Sequence, residues 1–516
     1  MHWRRSVRMT GEGRDRTFLL LLCVSVPSFM INLDGNIVAV SLPSIVQTLN
    51  ADFASIEWVI SAYTLTFAAL IMPAGALADR FGRKRVLIIG LSLFTLASLL
   101  CGASPNVTIL NAARAAQGVG AALLLSAALA LLSKEFQGAS RAPAFAFWGS
   151  VIGIAMTLGP LAGGVITQTL GWEWAFYVNV PVGVLMIGLS IYAVDESRDP
   201  DSATIDIAGS TTLALALFML TFVLISGNHR GWTDGLLIGS LAASLAFFVS
   251  FVVVEAKQRR PMLDLRFFRQ PIYIGANIAG LAYAASLLTM LTYIPLYFQG
   301  GMGASPISAG LLMLPLAMPL FVVPRIVARH FSHWVSGRTL LTVGLVMVSV
   351  GLLTLACLAP SFNVPMIMVG MAVAGTGAGI LNGETARVGL SVIPPNRAGM
   401  AAGVGGTVRF AGVVIGFAGL GAILYQRIAS ELSQSTLVDQ ASLKLASEAI
   451  ASGYLTVAGR SYGLPANVVL GSFTAGYQML FAAAGLVAAG GALGSWVLVT
   501  PTVQDSRIPE VIPEYE

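Results

Sequence analysis

The chain has 516 residues, of which 56% are hydrophobic and only 10% charged, with a net charge of +5 and a mean hydropathy of +0.81. Soluble domains carry about 25% charged residues, so a soluble globular protein is excluded. Basic residues spread over short loops, rather than gathered on one face, exclude a nucleic-acid partner. The three cysteines, Cys23, Cys101 and Cys357, all fall inside apolar runs; they imply no disulfide framework and are expected as small core residues.

Taken in chain order, the first sixteen residues carry Arg4, Arg5, Arg8, Arg14 and Arg16 ahead of an apolar run. No small-residue cleavage site follows, so the run is expected as a retained first span behind a cytosolic basic tail, 1–16. Fourteen apolar runs then cover roughly 17–44, 56–78, 85–103, 108–132, 143–167, 174–194, 205–226, 236–255, 272–298, 306–329, 338–358, 364–388, 398–425 and 474–499. Each is long enough to cross a ~30 Å hydrocarbon core, and inside lipid each must be a helix to satisfy its own backbone. Lys and Arg mark the loops near 80–85, 134–141, 257–269, 325–338 and 387–397, whereas those near 46–55, 104–107, 168–173, 300–305 and 359–363 have none. That alternation places both termini, including the tail 500–516, in the cytosol.

Four spans carry polar groups that a bilayer penalises. Asp34 lies about 17 residues into the first span, roughly 25 Å from its inner end, and Arg114 about six residues into the fourth, roughly 9 Å below the outer face. The two therefore fall at similar depth, with Gln117 on the same face as Arg114. An intramembrane charge costs at least ~2.5–3.5 kcal/mol and is expected to face an interior partner. Two readings stand: a static staple between helices, or an acid that gains and loses a proton as the protein works. Glu384, near the inner end of the twelfth span, has Arg387 three residues on, which reads either as an i,i+3 pair or as a second proton or cation site. Arg409 sits about 16 Å into the thirteenth span with no assignable acid partner. Tyr63, Phe67, Trp148, Tyr283, Tyr293 and Tyr297 are candidates to line a cavity, with Tyr293 and Tyr297 alternatively in an interfacial belt.

Between the second and third spans, "GALADRFGRKR" (75–85) packs five charges into seven positions. The cations hold the loop in the cytosol, but they do not account for Asp79, nor for Gly75 and Gly82, which suit close helix approach and a tight turn. The fifth span, "GIAMTLGPLAGG" (153–164), combines Gly153, Gly159, Gly163 and Gly164 with Pro160, and Gly149/Gly153 and Gly159/Gly163 have the spacing of close-packed helices. Residues 195–206, "DESRDPDSATID", are acidic, and 426–473 form the longest outer loop, amphipathic around 436–450. The fifth and thirteenth spans echo each other in glycine content, and "ARHFSHWVSGR" (328–338) is a degraded echo of 75–85, as expected of a transporter built from repeats.

These stretches carry a resemblance. "GALADRFGRKR" resembles the loop motif between the second and third helices of the major facilitator superfamily, "RAAQG" (114–118) its fourth-helix motif, and "GIAMTLGPLAGG" the fifth-helix motif of its antiporter branches. "LDGNIVAVSLPSI" (33–45) and "TVRFAGVVIGFAGLGAIL" (407–424) are similar to the first and thirteenth helices of the 14-span drug:proton antiporters. The resemblance implies an all-α integral membrane protein of the major facilitator fold. Two six-helix bundles, 17–194 and 272–499, would be separated by two inserted helices within 195–271. It further implies that Gly75, Asp79, Arg80, Gly82, Arg83 and Lys84 form an inner gate, with Asp79 capping a facing helix near Ala398. Glu135 at the inner end of the fourth helix would join that gate only if it reached Arg83 past Lys134. The glycine-rich fifth helix would be a pivot between the halves.

No Ser-His-Asp arrangement, phosphate loop, dinucleotide fingerprint or metal-ligand spacing occurs, so no enzyme, no cofactor and no ATP-driven pump is expected. The expected function is a proton-coupled exporter of amphipathic or cationic compounds in a cell (inner) membrane, with Asp34, Arg114, Gln117 and Glu384 as coupling or substrate residues and Arg409 unassigned. Its partners are a lipophilic or cationic small molecule, protons and membrane lipid, plus a periplasmic adaptor in a host with two membranes. The alternatives are an exporter of one narrow natural substrate, such as a lipid, siderophore or metabolite, and a non-transporting scaffold or sensor, to which a buried Asp34–Arg114 pair would be of little use.

Overall fold

The computed structural model describes residues 11–51, 53–136, 141–198, 207–258, 265–331, 334–393, 398–434 and 440–501. The first part of the chain forms α1 (Gly11–Leu49), α2 (Phe53–Phe81), α3 (Arg83–Gly102), α4 (Val107–Glu135), α5 (Arg141–Thr169), a short α6 (Trp174–Tyr177) and α7 (Asn179–Ala193). Two helices follow, α8 (Ile207–Arg230) and α9 (Gly235–Lys257). The last part forms α10 (Pro271–Tyr283), α11 (Thr289–Met302), α12 (Pro306–Leu312), α13 (Leu314–Ile326), α14 (Gly337–Leu358), α15 (Val364–Leu390), α16 (Ala398–Ser433), α17 (Gln440–Ala451), α18 (Leu455–Ser461) and α19 (Ala466–Leu498). No strand occurs among the described residues.

Helix starts follow side-chain chemistry. Asn106, Asp234, Ser305, Ser336 and Asn363 each accept a backbone N–H in the first turn of α4, α9, α12, α14 and α15, satisfying donors that lipid would leave bare. Two long helices bend. The α2 axis turns 53° between Trp58–Ile71 and Pro73–Phe81, and α5 turns 43° between Phe147–Met156 and Leu158–Thr169. Pro160 accounts for the second bend, because its ring clashes with the carbonyl four residues earlier, at Met156, where the first segment ends.

Each of the fourteen expected spans overlies a helix. Eleven helices among the described residues are long and apolar enough to cross a membrane, thirteen if each bent pair is one span, and Ala208–Leu224 is a shorter apolar helix.

Packing separates two bundles. In the first, α4 lies against α2 and α3, and α1 against α5; in the second, α15 lies against α14 and α13, and α19 against α14, α16 and α10. Helix α8 lies beside α2 and α16, and α9 packs chiefly on α8, so the inserted pair covers one seam between the bundles. On the opposite seam α5 meets α12 and α13 directly.

At the end of the molecule that carries the short loops near 46–55, 168–173 and 300–305, which lack Lys and Arg and which mark the outer end, the bundles are joined. Gln299 Nε2 donates to Val40 O (3.1 Å), the Ile307 amide to Gln168 Oε1 (3.3 Å), and the Tyr454 hydroxyl to Pro43 O (2.7 Å). The long outer loop is thus largely helical. Helix α16 continues to Ser433 and α19 begins at Ala466, beyond the hydropathy limits at 425 and 474, because helices outrun the apolar core. Helix α17 buries Ala446, Ser447, Ile450 and Ala451, while Leu445 stays exposed. Residues 436–439 of the expected amphipathic stretch, and 1–10 and 502–516 of the two tails, lie outside the described residues.

Three expectations need correction. Tyr293 and Tyr297 are each 1% exposed and belong to the protein core rather than to an interfacial belt. Tyr293 stacks on Phe417 and donates to its carbonyl; Tyr297 sits among Phe362, Phe473, Tyr477 and Phe481 and donates to Ala359 O. Their hydroxyls find carbonyls inside the bundle, which removes any need for the headgroup region. Cys23 and Cys101 are buried but Cys357 is exposed, on the outward side of α14. A Cβ on Gly149 would meet nothing within 4 Å, so Gly149/Gly153 is not a close-packed pair.

Candidate functional site

Asp34, Arg114 and Gln117 come together at the centre of the first bundle. Asp34 is fully buried and Arg114 is 1% exposed. Arg114 Nη1 donates to Asp34 Oδ2 at 2.6 Å and to Gln117 Oε1 at 2.6 Å, and its Nε donates to Val59 O at 2.9 Å. Gln117 Nε2 donates to Asp34 Oδ1 (2.9 Å) and to Ser98 Oγ (2.8 Å). A fourth residue, Asn179 at the start of α7, donates to Asp34 Oδ1 at 2.9 Å. The guanidinium carbon lies 4.2 Å from the Tyr63 ring centroid and 5.7 Å from that of Phe176, which screens it from the bilayer by cation–π contact. Tyr63 therefore walls this pair instead of lining an open cavity.

The arrangement links α1, α2, α4 and α7 through one carboxylate that accepts three bonds. One negative and one positive charge cancel, and Asp34 accepts from Arg114, Gln117 and Asn179. Removing either member would strand the other in a site without water, which typically costs about 3–5 kcal/mol.

At the inner end, Asp79 is bound by its neighbour on the loop: Arg83 Nε and Nη2 donate to Asp79 Oδ1 at 3.0 and 2.7 Å. Glu135 lies beside Lys134 at 3.9 Å, so the pairing of Glu135 with Arg83 is not formed. The cap of a facing helix near Ala398 falls at the edge of the described residues, since 394–397 lie outside them. Gly75 meets nothing within 4 Å. Gly82 adopts φ +114°, a backbone conformation that glycine alone takes readily. Arg80 stands over the Phe81 ring.

The loop's main partner is the acidic segment after α7. Glu196 Oε1 accepts the Lys84 amide at 3.2 Å, Ser197 O accepts the Arg83 amide at 2.9 Å, and Lys84 Nζ donates to Ile191 O at 2.7 Å. A carboxylate at the N-terminus of α3 meets unpaired amides and the positive end of the helix dipole. Arg85 lies 3.6 Å from Glu196, and Arg16 pairs with Asp195.

Along α5 the glycines face two ways. A Cβ on Gly159 or Gly163 would lie 2.4 Å from Asn36 or 2.9 Å from Ile37, both on α1. One on Gly153 or Gly164 would lie 3.1 Å from Phe321 on α13 or 2.3 Å from Pro306 O on α12. Gly310 returns the contact, 2.5 Å from Pro160 O. Helix α5 is thus wedged between its own bundle and the other, with glycines at both contacts.

In the second bundle Glu384, 4% exposed, is held by Arg387 at 2.5 Å. Arg409 on α16 reaches across to α15, where Nη2 lies 3.5 Å from Thr385 Oγ1. Among the described residues no cluster of His, Cys, Asp and Glu fits a metal ion. Sequence reasoning missed Asn179, which carries no charge to betray it in "FYVNVPVG", and Glu196, which was visible only as one acid among several.

The membrane helices, the paired bundles and the buried charge pair define a secondary-transporter architecture. Residues 24–417 match the Major Facilitator Superfamily, and the chain belongs to that family. It is 34% identical over 412 residues to the multidrug resistance protein Stp of Mycobacterium tuberculosis (strain CDC 1551 / Oshkosh), covering 80% of this chain and 76% of that one. It is 30% identical over 514 residues to the tetracenomycin C resistance and export protein of Streptomyces glaucescens, covering 97% and 95%. Among solved structures it resembles a bacterial homolog of the human lysosomal transporter Spinster in an inward-facing, unoccupied conformation, with TM-score 0.62, 16% identity, and 94% and 97% coverage. The chain is a multi-pass membrane transporter and not an enzyme.

Proposed function

We propose that this protein exports amphipathic or cationic compounds by alternating access, driven by proton entry, across a cell membrane in which both termini are cytosolic. The observation that carries the proposal is the Asp34–Arg114 pair, a carboxylate and a guanidinium at 2.6 Å, shut away from water. The outer end is bridged by Gln299, Gln168 and Tyr454, so the carboxylate exchanges a proton only when the bundles rearrange. Protonation removes the negative charge and releases Arg114 from Asp34; loss of the proton restores the pair. Such a group converts a gradient into a change of packing. The likeness to resistance and export proteins supports export as the direction.

The two bundles, 17–194 and 272–499, are the moving halves in this reading, with α5 as pivot and 75–85 as the inner gate. Glu384, held by Arg387, is assigned to the second half as a further acid of the cycle. A second reading has one specific support. A relative matching almost the whole chain is named for a single compound, tetracenomycin C, which favours a narrow natural substrate.

The test uses vesicles containing the purified protein, a fluorescent lipophilic probe and an imposed pH gradient. Wild type expels the probe and stops when a protonophore is added. Asp34→Asn, checked for folding by its elution in detergent, binds the probe but loses gradient-driven exchange by tenfold or more. Exchange at the wild-type rate in Asp34→Asn removes Asp34 from the coupling role.

A further inference from the structure

The transmembrane charges of the second bundle do not cancel as those of the first do. Asp34 is matched to Arg114 and Glu384 to Arg387, but no carboxylate of a described residue lies within ion-pair distance of Arg409. Its one hydrogen bond is the long contact to Thr385 Oγ1, whose own proton goes to Leu381 O at 3.0 Å. Arg409 Nε is buried and has no acceptor.

Arg409 is not turned toward lipid. Gly405 and Gly412, one turn to either side on the same face of α16, lie against Asn277 and Leu281 of α10, whereas the lipid face is marked by Ile415, 38% exposed. The next residue, Phe410, packs edge-on against Phe67 of the first bundle at 4.2 Å. Arg409 therefore stands where α10, α15 and α16 meet, beside the seam between the halves, and is only half-buried there.

A second, independent group points to the same place. Tyr283, the last residue of α10, is fully buried within electrostatic reach of Arg409, and its hydroxyl has no hydrogen-bond partner. The helix continues from it as a π turn, Ala284–Leu288, a local widening often found at functional sites. Buried polar groups are nearly always paired, and a bound acceptor would satisfy both of these donors at once.

We propose that Arg409 and Tyr283 form a binding site for an acceptor oxygen of the exported compound, a carboxylate or phenolate, so that the substrates include amphipathic anions. The inference rests on the export reading and adds the substrate class. A guanidinium and a phenol hydroxyl supply two donors to one oxyanion, and Thr385 holds the guanidinium in place. A lipophilic cation finds no matching carboxylate here, since Asp34 and Glu384 are each already paired with an arginine.

The experiment measures binding and transport separately. Binding of a fluorescent carboxylate and of a fluorescent lipophilic cation to the purified full-length protein is followed by polarisation. Arg409→Gln is expected to weaken carboxylate binding by about tenfold or more, the loss typical of a hydrogen bond to a charged group, and to leave the cation unchanged. Arg409→Lys keeps the charge and retains most of the affinity. Tyr283→Phe, which deletes only an unpaired hydroxyl and so preserves the fold, weakens the carboxylate about threefold. Unchanged carboxylate affinity in both Arg409→Gln and Tyr283→Phe, equal losses for both probes, or no carboxylate binding to wild type overturns the proposal. Carboxylate bound but not expelled across a pH gradient counts against export while leaving the site standing.

Discussion

Gly82→Ala tests whether the inner loop is held by the segment that follows α7. Two costs add. The φ of +114° places any side chain in a region that costs about 1–3 kcal/mol. The new Cβ would also lie 2.4 Å from Glu196 Oε1 and 2.5 Å from its Cδ, so the carboxylate must move. Moving it gives up the bond from the Lys84 amide at 3.2 Å and the charge at the start of α3, together about 1–2 kcal/mol. The sum is about 3 kcal/mol, a factor near 150 in the unfolding equilibrium, measurable by denaturant unfolding in mixed micelles. A cycle with Glu196→Ala separates the parts. In that background the clash is gone, and Gly82→Ala should cost only the backbone share. A Gly82→Ala protein within about 0.5 kcal/mol of wild type, or one whose loss is undiminished when Glu196 is removed, refutes the docking of Glu196 on this turn.

Two further outcomes follow from the geometry. Tyr454→Phe removes the hydroxyl that donates to Pro43 O, worth about 1 kcal/mol. Spin labels at Thr48 and Gly303 should then report a roughly fivefold shift toward a separated outer end, and identical distance distributions would rule the bond out as a strap. Because burial pushes the Tyr454 phenol well above its ordinary value, it keeps its proton throughout the cellular pH range, so this bridge should not respond to pH. Arg387→Gln withdraws the guanidinium from buried Glu384 and should destabilise by about 2–3 kcal/mol; adding Glu384→Gln should recover most of that, and failure to recover would show that the pair is not what stabilises this helix end.

The bilayer made the charged part of the site readable in sequence. An Asp and an Arg placed by helical rise at similar depth in separate apolar runs leave each other as the natural partner, and Asp34 and Arg114 do meet. Gln117 followed from its place one turn along the same face. Asn179 did not, because an uncharged amide in an apolar run carries no penalty large enough to demand a partner. Glu196 escaped for another reason: what it binds is the Lys84 main-chain amide, which every residue type possesses. The seam between the bundles was equally opaque. The amphipathic character around 436–450 gave no sign that the residues after it would reach α1. Proline explained in hindsight why α2 and α5 are each broken where hydropathy alone drew one continuous span.

The bridges at the outer end have an evolutionary corollary. Tyr454 and Gln299 address the carbonyls of Pro43 and Val40, atoms that survive nearly any substitution in α1. Side chains along that stretch of α1 are thereby free to drift, and with them the range of cargo, while the means of sealing the transporter is inherited intact. The burden of preserving these two bonds falls instead on the donors, whose side chains alone supply them.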